Sequence, residues 1–419
     1  MPVRPTSPRG PAAPDRPRPD HLGCRARRSL LSGAALCTRR RRRPPRTRAD
    51  SSGDRGSWYR SAMRRIAIVG GGLAGCIVAF RRAAAGDEVT LVEAAPRLGG
   101  QLWTERASGF VVEHGAEGFI ARSEAVPALA GALGIAGDLV GQETQRSFGF
   151  DGAALRELAP GEAAAFLGFQ VPRDELGRGI RTFRLGMAQL TDTLAAALAA
   201  GGRADVRVSA AVTSLAREAG GLRLSLADGG EVAADAVVIA TGAAGAAALL
   251  GEPARALRGA ETLSSVTVSL AYPRAAIEHP LDGTGFVVAA GHQAHGFRAC
   301  TFTTSKFAAR APASHVALRL FFRPEPGDLE QLDDAAWTAR AEASLARVLS
   351  VRGAAERAWV SRWSSALPVS TPAHAARVRE VEQALAGSGV LLAGSAFHGS
   401  GIDAAVRSAE AAAERAGAL

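Results

Sequence analysis

Asparagine is absent from this sequence, and lysine occurs once, at Lys306. That bias suggests GC-rich coding, in which Arg-, Pro- and Ala-rich sequence readily appears upstream of a true start. Cysteine is scarce. Cys24, Cys37, Cys76 and Cys300 show no metal-ligand spacing, and a reducing cytoplasm is the default compartment. No apolar run reaches the ~18 residues of a membrane span, and no segment reads convincingly as a secretory signal. Acidic residues are almost missing from residues 1–62, which hold 16 Arg against 4 Asp, a local charge of +12. The whole chain carries +10, so residues 63–419 sum to −2. The basic excess is therefore not on the folded part, and no nucleic-acid partner is implied for it. Residues 1–62, with the run from Arg39 to Arg43, have no sustained apolar face and are expected to be disordered. They read as a transit peptide, a nucleic-acid or membrane tail, or translation upstream of a start at Met63. The last is favoured, because a dinucleotide-binding unit begins directly after Met63.

That unit spans residues 64–100. An apolar run (66–69) leads into a glycine cluster, an amphipathic segment (73–85), and a second apolar run (89–92) that ends on Glu93. The pattern is βαβ with G-x-G-x-x-G as Gly70, Gly72 and Gly75. Gly70 makes the tight turn, Gly72 lets backbone approach a pyrophosphate, and Gly75 lets helix pack on strand. The helix start, with Leu73 and Ala74, offers unpaired N–H groups and a positive dipole end to phosphates. Glu93, 23 residues after Gly70, is placed for ribose hydroxyls. Arg97, Gly99 and Gly100 continue the unit as E-A-x-x-R-x-G-G, which resembles the flavin amine oxidase and protoporphyrinogen oxidase superfamily. There the glycine pair lets the chain pass close to FAD, and the arginine sits near its phosphates.

The rest of the chain suits an α/β protein of two or three domains: 47% hydrophobic, 21% charged. Residues 110–112 read as a strand, 115–118 as a tight loop, and 123–133 as a helix capped by Ser123. Residues 150–181 have few periodic signals. A helix is expected over 186–200, with Leu190, Leu194 and Leu198 on one face, then strands over 206–209, 211–215 and 222–226. The apolar run 236–240 ends in Thr241-Gly242, as a buried parallel strand of the nucleotide sheet would. Alternating runs at 266–271, 297–303 and 316–322 suggest an antiparallel sheet in a second domain, and 329–349 a long helix. Cys76 and Cys300 read as small buried residues. Near the C-terminus a strand (390–393), a glycine loop holding Gly394, and a helix from Asp403 repeat the strand–loop–helix arrangement. This second helix start would aim its positive end at the flavin ring.

From Met63 to the C-terminus the chain resembles the oxygen-dependent protoporphyrinogen/coproporphyrinogen oxidases. The resemblance rests on TERASGFVVEHGAEGFIAR, SSVTVSLAYPRAAIEHPLDGTGFVV, ACTFTTSKFAARAP, SRWSSALPVSTPAHAARVREVE and LLAGSAFHGSGIDAAVRSA. It implies an α/β fold: a Rossmann-like FAD-binding domain (GR2 type; residues 63–135, 202–255 and 385–419) interleaved with a smaller mixed α+β substrate domain (136–201 and 256–384). It implies non-covalent FAD held at Gly70, Gly71, Gly72, Leu73, Ala74, Gly75, Glu93, Ala94, Arg97, Gly99, Gly100 and Gln101. Further contacts fall on Gly115, Ala116, Glu117, Gly118, Val212, Trp363, Gly394, Ser400, Gly401 and Ile402. Val212 would meet the adenine through its backbone, and Arg122 would pair a substrate propionate. The implied activity is oxidation of protoporphyrinogen IX or coproporphyrinogen III with molecular oxygen as acceptor. No catalytic acid or base is assigned, and His374 and His398 read equally well as structural. Two departures stand out. The family's long helical insertion after the helix near residue 133 is reduced to about fifty residues here, and Ser395 and Ala404 replace the usual Asn and Asp. An oxidase with a different small substrate, or a non-catalytic flavin-binding relative, are the alternatives. A cytoplasmic protein with at most peripheral membrane contact is expected, since no basic amphipathic helix follows Met63.

Overall fold

Five short apolar runs assemble into one parallel sheet, in the order Val390–Leu392, Ala236–Ile239, Arg65–Val69, Glu88–Val92, Ala204–Arg207. Every neighbouring pair is parallel, with Ile68 beside both Val238 and Leu91. This computed structural model describes residues 63–159, 161–163 and 179–419. The expected disordered extension over 1–62 lies outside the described residues, as does part of the shortened insertion.

Strand alternation divides the central strand between two cores. Ile66 and Ile68 face the helices Leu73–Ala84, Ala188–Gly201 and Ile402–Ala418, joined by Cys76, Ile77, Leu190, Leu194, Val406 and Ala409. Ala67 and Val69 face the helices Ala243–Leu250 and Pro372–Ala384 and a three-stranded antiparallel sheet, Val212–Glu218, Gly221–Leu226 and Glu231–Ala234. Each fully buried Ile, Leu or Val contributes ~1.5–3 kcal/mol. Burial on both faces is why these strands read as continuous apolar runs. Arg81 and Glu410 tie the first and last helices together with a paired contact at 2.8–3.0 Å.

A second sheet has seven strands, in the order Arg357–Pro368, Thr262–Pro273, His315–Phe322, Phe297–Phe302, Gly285–Val288, Phe148–Phe150, Leu155–Glu157. All pairs are antiparallel except Gly285–Val288 with Phe148–Phe150. Val268, Leu270, Phe302 and Leu320 pack against Trp337, Ala341 and Leu345 of the helix Asp334–Ala346. The fold is thus α/β: a Rossmann-like nucleotide domain with a mixed second domain. No helix among the described residues is long and apolar enough to cross a membrane.

Three local expectations change. The long helix over 329–349 is two helices, Asp328–Gln331 and Asp334–Ala346. Asp333 breaks it by accepting the Ala336 N–H at 2.8 Å, since a short carboxylate competes better as a cap than as a mid-helix residue. The helix expected from Ser123 starts at Ala125; the Ser123 hydroxyl accepts the Ala125 N–H at 3.2 Å and donates to Asp403 at 2.8 Å. The helix Ala188–Gly201, placed by sequence with the substrate domain, packs its Leu190, Leu194 and Leu198 into the nucleotide-sheet core.

Candidate functional site

The glycine loops gather beyond the carboxyl ends of the parallel strands, the usual ligand crevice of such sheets. Gly70 turns with φ +105°, and its N–H donates to the Val92 carbonyl at 2.8 Å. A Cβ there would lie 2.8 Å from the Ala240 oxygen. At Gly75 a Cβ would sit 1.9 Å from the Gly70 oxygen, whereas at Gly72 it would meet nothing within 4 Å. Gly72 is also the N-cap of the helix Leu73–Ala84, with no side-chain cap. No side chain therefore occupies this helix start, where the first-turn N–H groups of Leu73, Ala74 and Gly75 and the dipole's positive end are gathered.

Glu93 joins strand to loop. One carboxylate oxygen accepts the Gly71 N–H at 2.6 Å, the other the Ala95 N–H at 2.7 Å, leaving lone pairs for further donors. Ala94 beside it is exposed. The backbone runs back to this corner before Val212: Ala210 donates to the Glu93 carbonyl and Ser209 to the Ala95 carbonyl, each at 2.9 Å. Val212 then opens its strand.

Gly99 donates to the Gly71 carbonyl at 2.8 Å, and a Cβ on Gly100 would lie 3.1 Å from the Gly72 Cα. Arg97 braces this turn, donating to the carbonyls of Leu98 (3.1 Å) and Gly100 (2.7 Å) and lying 4.7 Å over the Trp103 ring. Half-burial lowers its pKa through desolvation. Loop 115–118 abuts the same turn: Ala116 donates to the Gln101 carbonyl, and a Cβ at Gly115 would fall 1.7 Å from that oxygen. Gln101 donates to the Ala366 carbonyl at 2.5 Å, and the Trp363 indole to the His114 carbonyl at 2.7 Å. Gly118 lies against the Arg181 carbonyl.

The C-terminal loop closes the ring of glycines. A Cβ on Gly394 would approach the Ala74 Cβ to 3.2 Å, so the two strand–loop–helix units meet. Gly401 caps the helix Ile402–Ala418 without a side-chain bond and faces open space, like Gly72. Ser400 and Gly401 are exposed, and Ile402 is buried. His398 braces the loop through Ser408 (2.7 Å), which also accepts the Gly394 N–H, and through Glu382 (3.2 Å); His374 bonds the Ala396 carbonyl at 2.8 Å. Both histidines are engaged with the loop. Arg122 is exposed beside Ser123, whose N–H and hydroxyl both reach Asp403 in the first turn of the terminal helix. The two free cysteines of the described chain, Cys76 and Cys300, are buried, and burial pushes the Cys76 thiol up to about 12.

Behind loop 115–118 lie charged residues to which no role was given from sequence. Lys306 donates to Glu117 at 2.7 Å, Arg310 lies 3.8 Å from Glu113, and Arg319 donates to the Gly115 carbonyl at 2.6 Å. Burial, opposed by bonds from Thr104 and Met187 and by Arg310, pushes the Glu113 carboxyl from 4.5 up to about 7. Between those pH values the folded chain keeps a proton that the unfolded chain has released. Its contribution is full below pH 4.5 and lost as pH rises to about 7, an effect of about 3 kcal/mol. Urea titrations at pH 5 and pH 7.5 should show this decline in wild type and a flatter profile in Glu113→Gln. Equal profiles would refute it.

Residues 142–416 match the flavin containing amine oxidoreductase family, and residues 68–133 match the NAD(P)-binding Rossmann-like domain. The chain is 24% identical to a coproporphyrinogen III oxidase of Bacillus subtilis, over 83% of this chain and 97% of the relative. One from Mycobacterium tuberculosis is 27% identical over 83% and 96%, and one from Propionibacterium freudenreichii 35% over 53% and 42%. Among solved structures, a protein from Exiguobacterium sp. 255-15, provisionally described as a protoporphyrinogen oxidase, superposes with TM-score 0.73 at 23% identity (84% of this chain, 98% of that one). A putrescine oxidase with a redesigned cofactor site follows at TM-score 0.65 and 16% identity (85% and 99%). FAD fits what is present, since two uncapped helix starts opened by Gly72 and Gly401 and a carboxylate with free lone pairs converge on one crevice. The chain is an FAD-dependent oxidoreductase and belongs to the flavin-containing amine oxidoreductase family.

Proposed function

We propose that this chain oxidises porphyrinogens, with coproporphyrinogen III or protoporphyrinogen IX as substrate and molecular oxygen as acceptor. The observation that carries the reading is the similarity to coproporphyrinogen III oxidases over 96–97% of their length, in a chain that presents two glycine-opened helix starts. Bound FAD would accept a hydride from the reduced macrocycle and pass the electron pair to oxygen as hydrogen peroxide, three times per porphyrinogen.

The N–H groups at the helix start, Gly72 to Gly75, would hold the pyrophosphate, with Glu93 accepting ribose hydroxyls and the backbone at Val212 meeting the adenine. The turn at Gly99, Gly100 and Gln101, loop 115–118 and Trp363 would shape the ring's surroundings. The helix start at Ser400, Gly401 and Ile402 would offer N–H dipoles to negative charge on the ring. Arg122, exposed at the edge, would pair a propionate. Such a substrate gives up hydride without needing a strong base, so orientation and water exclusion are the protein's main contributions. The segment between the helix Ala125–Ala132 and the strand Arg181–Phe183 is short, and that favours a second reading in which the substrate is a different, smaller reductant. A cytoplasmic working site, with any membrane contact transient, completes the proposal.

Anaerobic mixing of the FAD-loaded protein with coproporphyrinogen III, then with protoporphyrinogen IX, tests this directly. Bleaching of the visible flavin band, with porphyrin fluorescence appearing, is expected for at least one. Bleaching by other reductants but neither porphyrinogen would favour the second reading.

A further inference from the structure

Four charged side chains that the flavin reading leaves without a task are buried behind loop 115–118, around Glu117 of the loop itself. Arg310 is 1% exposed, Arg319 and Glu113 3%, Lys306 7% and Glu117 9%. They come from distant parts of the chain: Glu113 ends one strand, Glu117 sits on the loop, Arg319 lies mid-strand in His315–Phe322, and Lys306 and Arg310 flank Phe307. Lys306 and Glu117 pair directly, while Glu113 is held by the Met187 N–H and the Thr104 hydroxyl, both at 2.7 Å, with Arg310 nearby. Arg319 meets neutral acceptors instead. One of its nitrogens reaches the carbonyls of Gly115 (2.6 Å) and His114 (3.3 Å) and the Thr267 hydroxyl (3.3 Å).

The cluster is not balanced. Three cations face two carboxylates, an excess of one positive charge when both acids are ionised. Four of its polar atoms, Glu117 Oε1, Arg310 Nε and Nη1, and Arg319 Nε, have no hydrogen-bond partner among the described residues. Burying an uncompensated cation is costly, so an arrangement that keeps one gains if negative charge develops beside it. Two-electron reduction of FAD with uptake of one proton leaves its ring one charge more negative. The loop that Arg319 grips also touches the Gly99–Gln101 turn and, through it, Gly72.

We propose that this cluster backs the flavin ring electrostatically. Arg319 is the positioning residue that holds the His114 and Gly115 carbonyls, and the excess positive charge favours the anionic reduced ring. The inference rests on the flavin reading above, with the ring lying against loop 115–118. It assigns Arg319 a role through charge as well as through shape, and the two separate experimentally.

The test compares wild type, Arg319→Met, Arg319→Lys and Glu113→Gln at pH 8.5, where Glu113 is mostly ionised. FAD binding to each is measured first by flavin fluorescence, then the midpoint potential by equilibration with a reporter dye. Arg319→Met should shift the reduced-to-oxidised ratio about tenfold against reduction, about 30 mV more negative for a two-electron couple. Glu113→Gln, which removes a negative charge, should move the potential in the opposite direction. Arg319→Lys should stay near wild type in potential, yet show faster hydrogen exchange at the amides of residues 116–118, also without FAD. A purely structural role would loosen the loop in every variant without reversing sign. Potentials that are unchanged in Arg319→Met, or that move the same way in Arg319→Met and Glu113→Gln, overturn the proposal. Should Arg319→Met fail to fold, an unshifted or more negative Glu113→Gln potential overturns it alone. A wild type that binds no FAD defeats the flavin reading and this inference together.

Discussion

Gly72→Asp should give a folded protein that has lost its flavin. The position has φ −70° and ψ −176°, extended backbone that any residue adopts, and a Cβ there meets nothing within 4 Å. Nothing in the fold therefore resists a side chain. Aspartate at an N-cap would itself accept first-turn N–H bonds, so the apo protein should be unchanged or more stable by up to ~1 kcal/mol. The cost falls on the cofactor. A carboxylate would take the N–H groups that the pyrophosphate needs and would place negative charge against negative charge. Affinity for FAD should fall at least about a thousandfold, ~4 kcal/mol. Two measurements on one preparation decide the matter: the visible absorbance of the purified protein, and the thermal midpoint after flavin removal. Retained flavin would mean that the pyrophosphate does not sit on this helix start. A collapsed apo midpoint would mean that Gly72 serves the fold rather than the ligand.

The contrast between what was readable and what was not follows from sequence distance. Gly70, Gly72, Gly75 and Glu93 lie within one βαβ unit, where turn, helix start and strand end are fixed by neighbours in the chain. The returning strands Ala236–Ile239 and Val390–Leu392 were legible as well, because burial on both faces leaves an uninterrupted apolar run. The boundary at residue 201 was less so. An amphipathic helix announces that it buries Leu190, Leu194 and Leu198, but not which core receives them. The break at Asp333 was hidden by apolar residues continuing at helical spacing on both sides of it.

The buried charges were the main omission. Arg and Glu are ordinarily solvated, and the partners here are far apart in sequence: 189 residues separate Lys306 from Glu117, and 204 separate Arg319 from Gly115. A signal did exist. Arg319 interrupts HVALRLFF, a strand whose other central residues are apolar, and the chain's single lysine comes shortly after a strand that ends in three buried residues, 300–302. A charge inside an otherwise buried strand needs a partner, even when the sequence does not say which.

Lys306→Met is the other large expected effect, and it falls on stability. Lys306 and Glu117 are both nearly enclosed, with side chains 9% and 8% exposed, and their bond is 2.7 Å. Methionine fills similar volume but leaves Glu117 without its direct partner, and one carboxylate oxygen already lacks any bond among the described residues. Lys306, with help from Arg319 and Arg310, holds the Glu117 carboxyl below its ordinary range against desolvation. Removing the nearest cation should therefore cost about 3–5 kcal/mol, far more than the intact pair contributes relative to apolar residues. The double variant Lys306→Met/Glu117→Leu separates the two quantities, because it removes the stranded charge along with its partner. It should recover most of the loss, giving a coupling of about 2–3 kcal/mol in a double-mutant cycle read by urea unfolding of the apo protein. Additive losses would show that Glu117 is satisfied without Lys306, through Arg319, Arg310 or water. FAD content of the double variant then isolates the site: a stable protein with weakened flavin binding would place the Glu117 carboxylate in the cofactor's surroundings rather than in the fold alone.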